Sequence, residues 1–210
     1  KKKHTKDVIV NAANKHLDHS AGLAGAMVRE GGKSVQDWSD IYINTYGKLQ
    51  EGDVVVAPDA GKMKCKRIFH AVGPIYRKGH TGEADTLRKC IHTCLTNLHN
   101  LKLASISIPA ISSGIFNFPK PLCCRIIVDE TVKFAKKFPK STVNKVCLTN
   151  FDNETVEIFT KEFGKLFGKD AKDADGNSSA ESTSKSFKVP TYKFDIVQQK
   201  SEQTILVNYI

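Results

Sequence analysis

What most constrains this chain is how two kinds of segment interleave. From residue 7 to residue 167, short β-branched runs and longer amphipathic stretches of helical period follow one another. The runs at 7–10, 53–57, 67–72, 105–108 and 145–149 predict strands. The stretches at 21–30, 35–46, 85–101, 120–138 and 153–167 predict helices. In the third, Leu87, Ile91, Cys94, Leu95 and Leu98 recur at three- and four-residue spacing; in the last, Val156, Phe159, Phe163, Leu166 and Phe167 form the stripe. Strands joined through helices of this length require right-handed crossovers. The expected fold is α/β: a mostly parallel mixed sheet with helices on both faces, three layers deep. Such sheets bind ligands at the carboxyl ends of their strands. The loops that follow residues 10, 72, 108 and 149 therefore carry the functional signal.

The first of these loops, 11–22, contains Asn11, Asn14, His19 and Gly22 and leads into a helix. Free N–H groups at a helix N-terminus, with the helix dipole behind them, suit a phosphate; a long capped turn is the plainer reading. The loop after residue 108 reads Pro109-Ala-Ile-Ser-Ser-Gly-Ile-Phe-Asn-Phe-Pro119. Ser112, Ser113 and Gly114 can turn backbone donors toward an anion, with Ile115 and Phe116 laying apolar surface over a sugar. Two exposed phenylalanines beside a Ser-Ser-Gly turn exceed what a plain connection needs. After residue 149, Phe151 is placed to stack on a base or to plug the end of the core. His70 lies in mid-strand and reads as a core histidine. Gly32-Lys33-Ser34 resembles the end of a P-loop, but Met27 stands where that motif needs glycine and a helix precedes it, so a nucleotide triphosphatase is excluded.

Of the 210 residues, 40% are hydrophobic and 26% charged, which excludes collagen-like and wholly disordered classes. No apolar run reaches the roughly 20 residues of a membrane-spanning helix. The six cysteines sit within apolar segments and read as reduced core thiols of a reducing compartment, nuclear or cytoplasmic. Cys90, His92 and Cys94 would not share a helix face, so no metal site is expected. Residues 168–210 hold six lysines and six acidic residues, so the whole net charge of +10 lies before them and favours anionic partners. Residues 168–186 hold no large apolar side chain and read as a flexible linker. Residues 187–210 turn β-prone again, with a strand from residue 204. It fits the start of a following domain; folding back onto a vacant sheet edge is the other arrangement.

Together, Val8-Ile-Val-Asn-Ala-Ala-Asn14, His19-Ser-Ala-Gly-Leu-Ala-Gly-Ala26, His70-Ala-Val-Gly-Pro74 and Pro109-Ala-Ile-Ser-Ser-Gly-Ile-Phe116 resemble the macrodomain family across residues 6–167. Phe116-Asn-Phe-Pro119 and Leu87-Arg-Lys-Cys90 look most like macrodomains of multi-macrodomain ADP-ribosyltransferases of the poly-ADP-ribose polymerase superfamily. The resemblance implies an ADP-ribose site with no further cofactor. Asn14, with Asn11 beside it, would hold the terminal ribose. Ala21, Gly22 and Leu23 would line the first phosphate loop. Ser112, Ser113, Gly114, Ile115 and Phe116 would wrap the pyrophosphate and distal ribose, and Phe151 and Asp152 would flank adenine. Three features depart from the family. The chain starts just after the place of a first edge strand ending in Gly-Asp. His19-Ser20-Ala21-Gly22 replaces a glycine-rich loop, where side chains cost on the order of 1 kcal/mol if the backbone takes positive φ. Ala24 stands where one hydrolytic branch carries aspartate.

The expected function is a module that binds ADP-ribose, free or as a mono-ADP-ribosyl mark on proteins. The alternative is a hydrolase of ADP-ribosyl–protein esters, with Asn14 orienting water and His19 as base. A nucleic-acid module using the basic surface is a third reading, against which the lack of any base-reading motif counts.

Overall fold

The computed structural model describes residues 6–58, 61–79, 82–167, 192–199 and 202–209. Ten elements fill the span up to Phe167: β1 (Val8–Ala13), α1 (Gly22–Gly31), α2 (Ser34–Tyr46), β2 (Val54–Ala57), β3 (Arg67–Val72), α3 (Glu83–Asn100), β4 (Ser105–Ile108), α4 (Lys120–Lys137), β5 (Lys145–Asn150) and α5 (Asn153–Phe167). Two further strands follow, β6 (Tyr192–Gln199) and β7 (Glu202–Tyr209). The sheet order is β2-β3-β1-β4-β5-β7-β6. The four central strands β3, β1, β4 and β5 run parallel. The outer pairings, β2 on β3, β7 on β5 and β6 on β7, are antiparallel. The fold is the mixed three-layer α/β/α sheet expected.

Strand alternation divides the apolar residues between the two faces. Val8, Val10, Phe69, Ile106, Ile108, Val146 and Leu148 are buried with the stripes of α3, α4 and α5 in the main core. Across the sheet, Ile68 and Ala57 meet Met27 of α1 and Val35 of α2, and Ala13 and Val72 pack with Leu17, Leu49, Trp38 and Tyr42. None of the six cysteines forms a disulfide, and all are buried.

Two expectations are revised, and a third segment gains described strands. β1 continues past Val10, because parallel pairing with β3 runs on to Ala12↔Ala71 and Ala13↔Val72; Asn11 is thus a strand residue, fully buried. Phe118 is not exposed: it enters the main core against the edge of Tyr76, leaving Phe116 half-buried in the loop. The segment from residue 187 contains two strands, and β7 pairs with β5 from Lys145↔Asn208 to Asn150↔Gln203. The linker expected at 168–186 lies outside the described residues.

Candidate functional site

A cleft of about 1090 Å³ opens over the carboxyl ends of β1, β4 and β5. Its floor includes Ile9, Ser107 and Thr149; its rims are Asn14 and the 20–23 segment on one side and the 112–116 segment on the other. A β-carbon built on Gly22 would sit 4.0 Å from Ile115 Cδ1, so the two rims face each other across a narrow gap.

The first rim is the start of α1. No side chain caps this helix and its first turn holds no acidic residue. The N–H groups of Gly22, Leu23 and Ala24 therefore have no intrahelical acceptor, and the positive end of the dipole is open to an anion. The cost anticipated for Ser20-Ala21 is not incurred. Ala21 is extended (φ −140°, ψ 170°), and the left-handed residue next to it is Gly22, at φ 59°.

Asn14 organises the loop behind this rim. Its Oδ1 accepts from the N–H groups of His16 (3.0 Å) and Asp18 (3.1 Å), and its Nδ2 donates to the Asp18 carbonyl (2.8 Å). One amide N–H remains for a ligand. Asp18 Oδ1 accepts from Ser20 N–H (3.0 Å). Gln36 of α2 clamps the loop from outside: its Oε1 accepts from His19 N–H (2.9 Å) and its Nε2 donates to the Leu17 carbonyl (3.0 Å). Sequence reasoning missed Gln36. A glutamine near a helix start is an ordinary surface residue until the loop it faces is known.

The second rim turns sharply. Ser112 and Asn117 take left-handed φ of 69° and 55°. Inside the turn, Asn117 N–H donates to the Gly114 carbonyl, Phe118 N–H to the Ser112 carbonyl and Ser113 Oγ to the Ala110 carbonyl. The N–H groups of Gly114, Ile115 and Phe116 find no acceptor among the described residues. Ile115 stands 76% exposed above them. Ala110 N–H donates to Asn150 Oδ1 (3.2 Å), tying this rim to the end of β5. There Phe151 lines the cleft with its ring 73% exposed, so it plugs no core.

Three residues expected at the ligand lie elsewhere. Asp152 starts α5: its Oδ1 accepts from Thr155 N–H (2.9 Å), from Thr155 Oγ1 (2.7 Å) and from Lys120 Nζ (3.1 Å). Burial raises its pKa, but the bonds from Thr155 and Lys120 outweigh this and hold it below the usual carboxylate value. Asn11 and His19 are sealed behind the first loop. The Asn11 amide donates to Nδ1 of both His19 (3.3 Å) and His70 (3.0 Å), whose rings stack at 4.9 Å. His19 Nε2 pairs with Ser39 Oγ (2.9 Å), whose hydroxyl donates to the Val35 carbonyl. Burial lowers the pKa of His19, although Asp18 and Asp40 oppose it. Burial and the neighbouring His19 lower that of His70 to about 3. His19 is thus a neutral ring with both nitrogens engaged, 3% exposed and away from the cleft lining.

Comparison with known proteins agrees with this geometry. The model of the Macro domain family matches residues 10–127. An uncharacterised protein of Thermotoga maritima is 43% identical over 157 residues, covering 75% of this chain and 26% of that protein. A Mus musculus protein named protein mono-ADP-ribosyltransferase PARP9 is 35% identical over 173 residues, covering 80% of this chain and 20% of that protein. The chain thus spans only about a quarter and a fifth of these two relatives. A mutant macrodomain of Oceanobacillus iheyensis, solved with ADPR, superposes with a TM-score of 0.73 at 26% identity, over 80% of this chain and 90% of that one.

Proposed function

The chain belongs to the macrodomain family, and from that premise we propose that its cleft binds ADP-ribose, free or attached as a mono-ADP-ribosyl group to other proteins in the nucleus or cytoplasm. The observation that carries this reading is the pair of opposed donor sets: the open N–H groups of Gly22–Ala24 and those of Gly114–Phe116. Two such sets across one gap suit a diphosphate, because neutral amides fixed in place hold anionic oxygens without reorganising. The spare amide N–H of Asn14 reaches a ribose hydroxyl, Ile115 covers the diphosphate, and the exposed ring of Phe151 stacks on the base.

Binding requires no more than this set. Hydrolysis also needs a group to activate water. His19 supports that role poorly, since its nitrogens are committed to Asn11 and Ser39, and Ala24 offers no carboxylate. We therefore favour a reader of the modification over an eraser. Calorimetry of the chain with ADP-ribose, ADP and a short RNA tests the assignment. ADP-ribose is expected to bind at one site and the RNA to bind weakly at moderate salt; tight RNA binding without ADP-ribose binding overturns it. Incubation with a mono-ADP-ribosylated protein tests the second point, and label loss that disappears in Asn14→Ala would make the protein a hydrolase.

A further inference from the structure

Gly73 follows β3 and does not touch the loop after β4 in sequence, yet it is the residue that loop leans on. Its backbone does not use the left-handed region, so φ does not demand a glycine here. Space does. A β-carbon at Gly73 would overlap Ser112 Oγ and lie 2.5 Å from Ile111 Cγ2, both closer than van der Waals contact allows. Ser112 is itself unusual: a non-glycine residue at φ 69°, 7% exposed, whose buried hydroxyl has no hydrogen-bond partner among the described residues. Its side chain therefore rests on bare backbone. Three residues on, Tyr76 N–H donates to the Phe116 carbonyl (2.9 Å) and the Tyr76 ring meets Phe118 edge-on. The segment 73–76 thus holds the 112–118 turn at both ends, reaching over β1 from the next strand but one.

We propose that Gly73 is the positioning residue of the second rim. By leaving room for Ser112 and Ile111, it lets Ser112 stay left-handed, and that single dihedral aims the N–H groups of Gly114, Ile115 and Phe116 into the cleft. A methyl group at position 73 pushes Ser112 off this conformation and turns the donors away, although Gly73 itself need not touch the ligand. The consequence for affinity rests on the ADP-ribose reading; the consequence for the loop does not.

The experiment uses the 210-residue chain in wild-type, Gly73→Ala and Gly73→Ala/Ser112→Gly forms. In the free protein, ¹⁵N–¹H spectra are expected to show the amides of Gly114, Ile115 and Phe116 displaced by Gly73→Ala while those of Gly22, Leu23 and Ala24 stay in place. ADP-ribose affinity is expected to fall at least tenfold in Gly73→Ala and to recover in part, at least threefold, in the double variant, where a glycine at 112 keeps the left-handed turn and only the Ile111 methyl still crowds position 73. If Gly73→Ala does not fold, the double variant is expected to fold and bind. Unmoved 114–116 amides in a folded Gly73→Ala protein overturn the proposal, as does a double variant no better than the single one. A wild-type protein that ignores ADP-ribose while the amides move as expected overturns the functional reading and leaves the positioning role standing.

Discussion

Gly114→Val separates binding from folding. Gly114 is exposed, its φ lies outside the left-handed region, and a β-carbon there would meet nothing within 4 Å. A valine should therefore fit the free protein, with a stability change within about 0.5 kcal/mol and a melting temperature within about 2 °C of wild type. The empty space is the cleft, however, and the new methyl groups project among the N–H groups of residues 114–116. A hydrogen bond from an amide to a charged oxygen contributes about 1.5–3 kcal/mol. Keeping the diphosphate from two of these donors costs about 3–6 kcal/mol, or roughly a hundred- to ten-thousand-fold in affinity. Calorimetry with ADP-ribose and a thermal melt read both quantities on one sample, with Lys33→Ala, an exposed residue paired with Asp37, as the control. Binding within threefold of wild type would show that the second rim does not hold the ligand.

Gly22→Ala should instead cost stability: at φ 59° an alanine loses about 1 kcal/mol, lowering the melting temperature by about 2–4 °C, and an unchanged melt would mean that residue 22 is not left-handed. Gln36→Ala removes both clamps on the first loop, so ADP-ribose affinity should fall about tenfold as the loop loosens, two hydrogen bonds of about 1 kcal/mol each being lost; calorimetry decides it. For His70, the folded-state value of about 3 lies below the unfolded value near 6.5. The unfolded chain then binds more protons, so stability is lost as pH falls from about 6.5 toward 3 and is unaffected above 6.5. From pH 6.5 to 5, above the range where the carboxylates titrate, this ring should remove roughly 1–2 kcal/mol; denaturant melts of wild type and His70→Asn measure it, and identical slopes for the two would count against a buried neutral ring.

The sheet was legible because its signals are local and repeated. β3, β4 and α5 begin and end where β-branched runs, glycine turns and the apolar stripe place them. The donor loops were legible as loops, since strand ends and helix starts fix where chain reversals fall. Which way the side chains of those loops face was not. Asn11 reads as the first loop residue until the β1–β3 ladder is known to continue through Ala13. His19 and Asp152 carry polar groups suited to a ligand, yet His19 is satisfied by Ser39, twenty positions away, and Asp152 by Thr155 at the start of its own helix together with Lys120. Gly73 stands in the loop after β3, and what it makes room for is set by Ser112, thirty-nine positions away. Period and turn chemistry locate a site; long-range contacts decide which residues face it.

The basic charge of the chain and its anion site are separate properties, and salt can tell them apart. Among the described residues, the charged ones that line the cleft are Lys6, Lys145, Asp18 and Glu30, two of each sign, so its described lining carries no share of the net charge of +10. The diphosphate is held by neutral backbone N–H groups, and an anion this short has no condensed counterion atmosphere to release. A nucleic acid held by surface lysines would behave differently, its affinity falling with a log–log slope of about −0.7 for each phosphate neutralised on a single strand. Between 50 and 300 mM salt, four such contacts would weaken RNA binding by roughly a hundredfold, whereas ADP-ribose, gripped by fixed dipoles within a narrow gap, should weaken by no more than about threefold. Titrations at three salt concentrations measure this directly. A steep slope for ADP-ribose would mean that lysines rather than the two opposed sets of amides hold it, and the assignment of Gly22–Ala24 and Gly114–Phe116 would have to be abandoned.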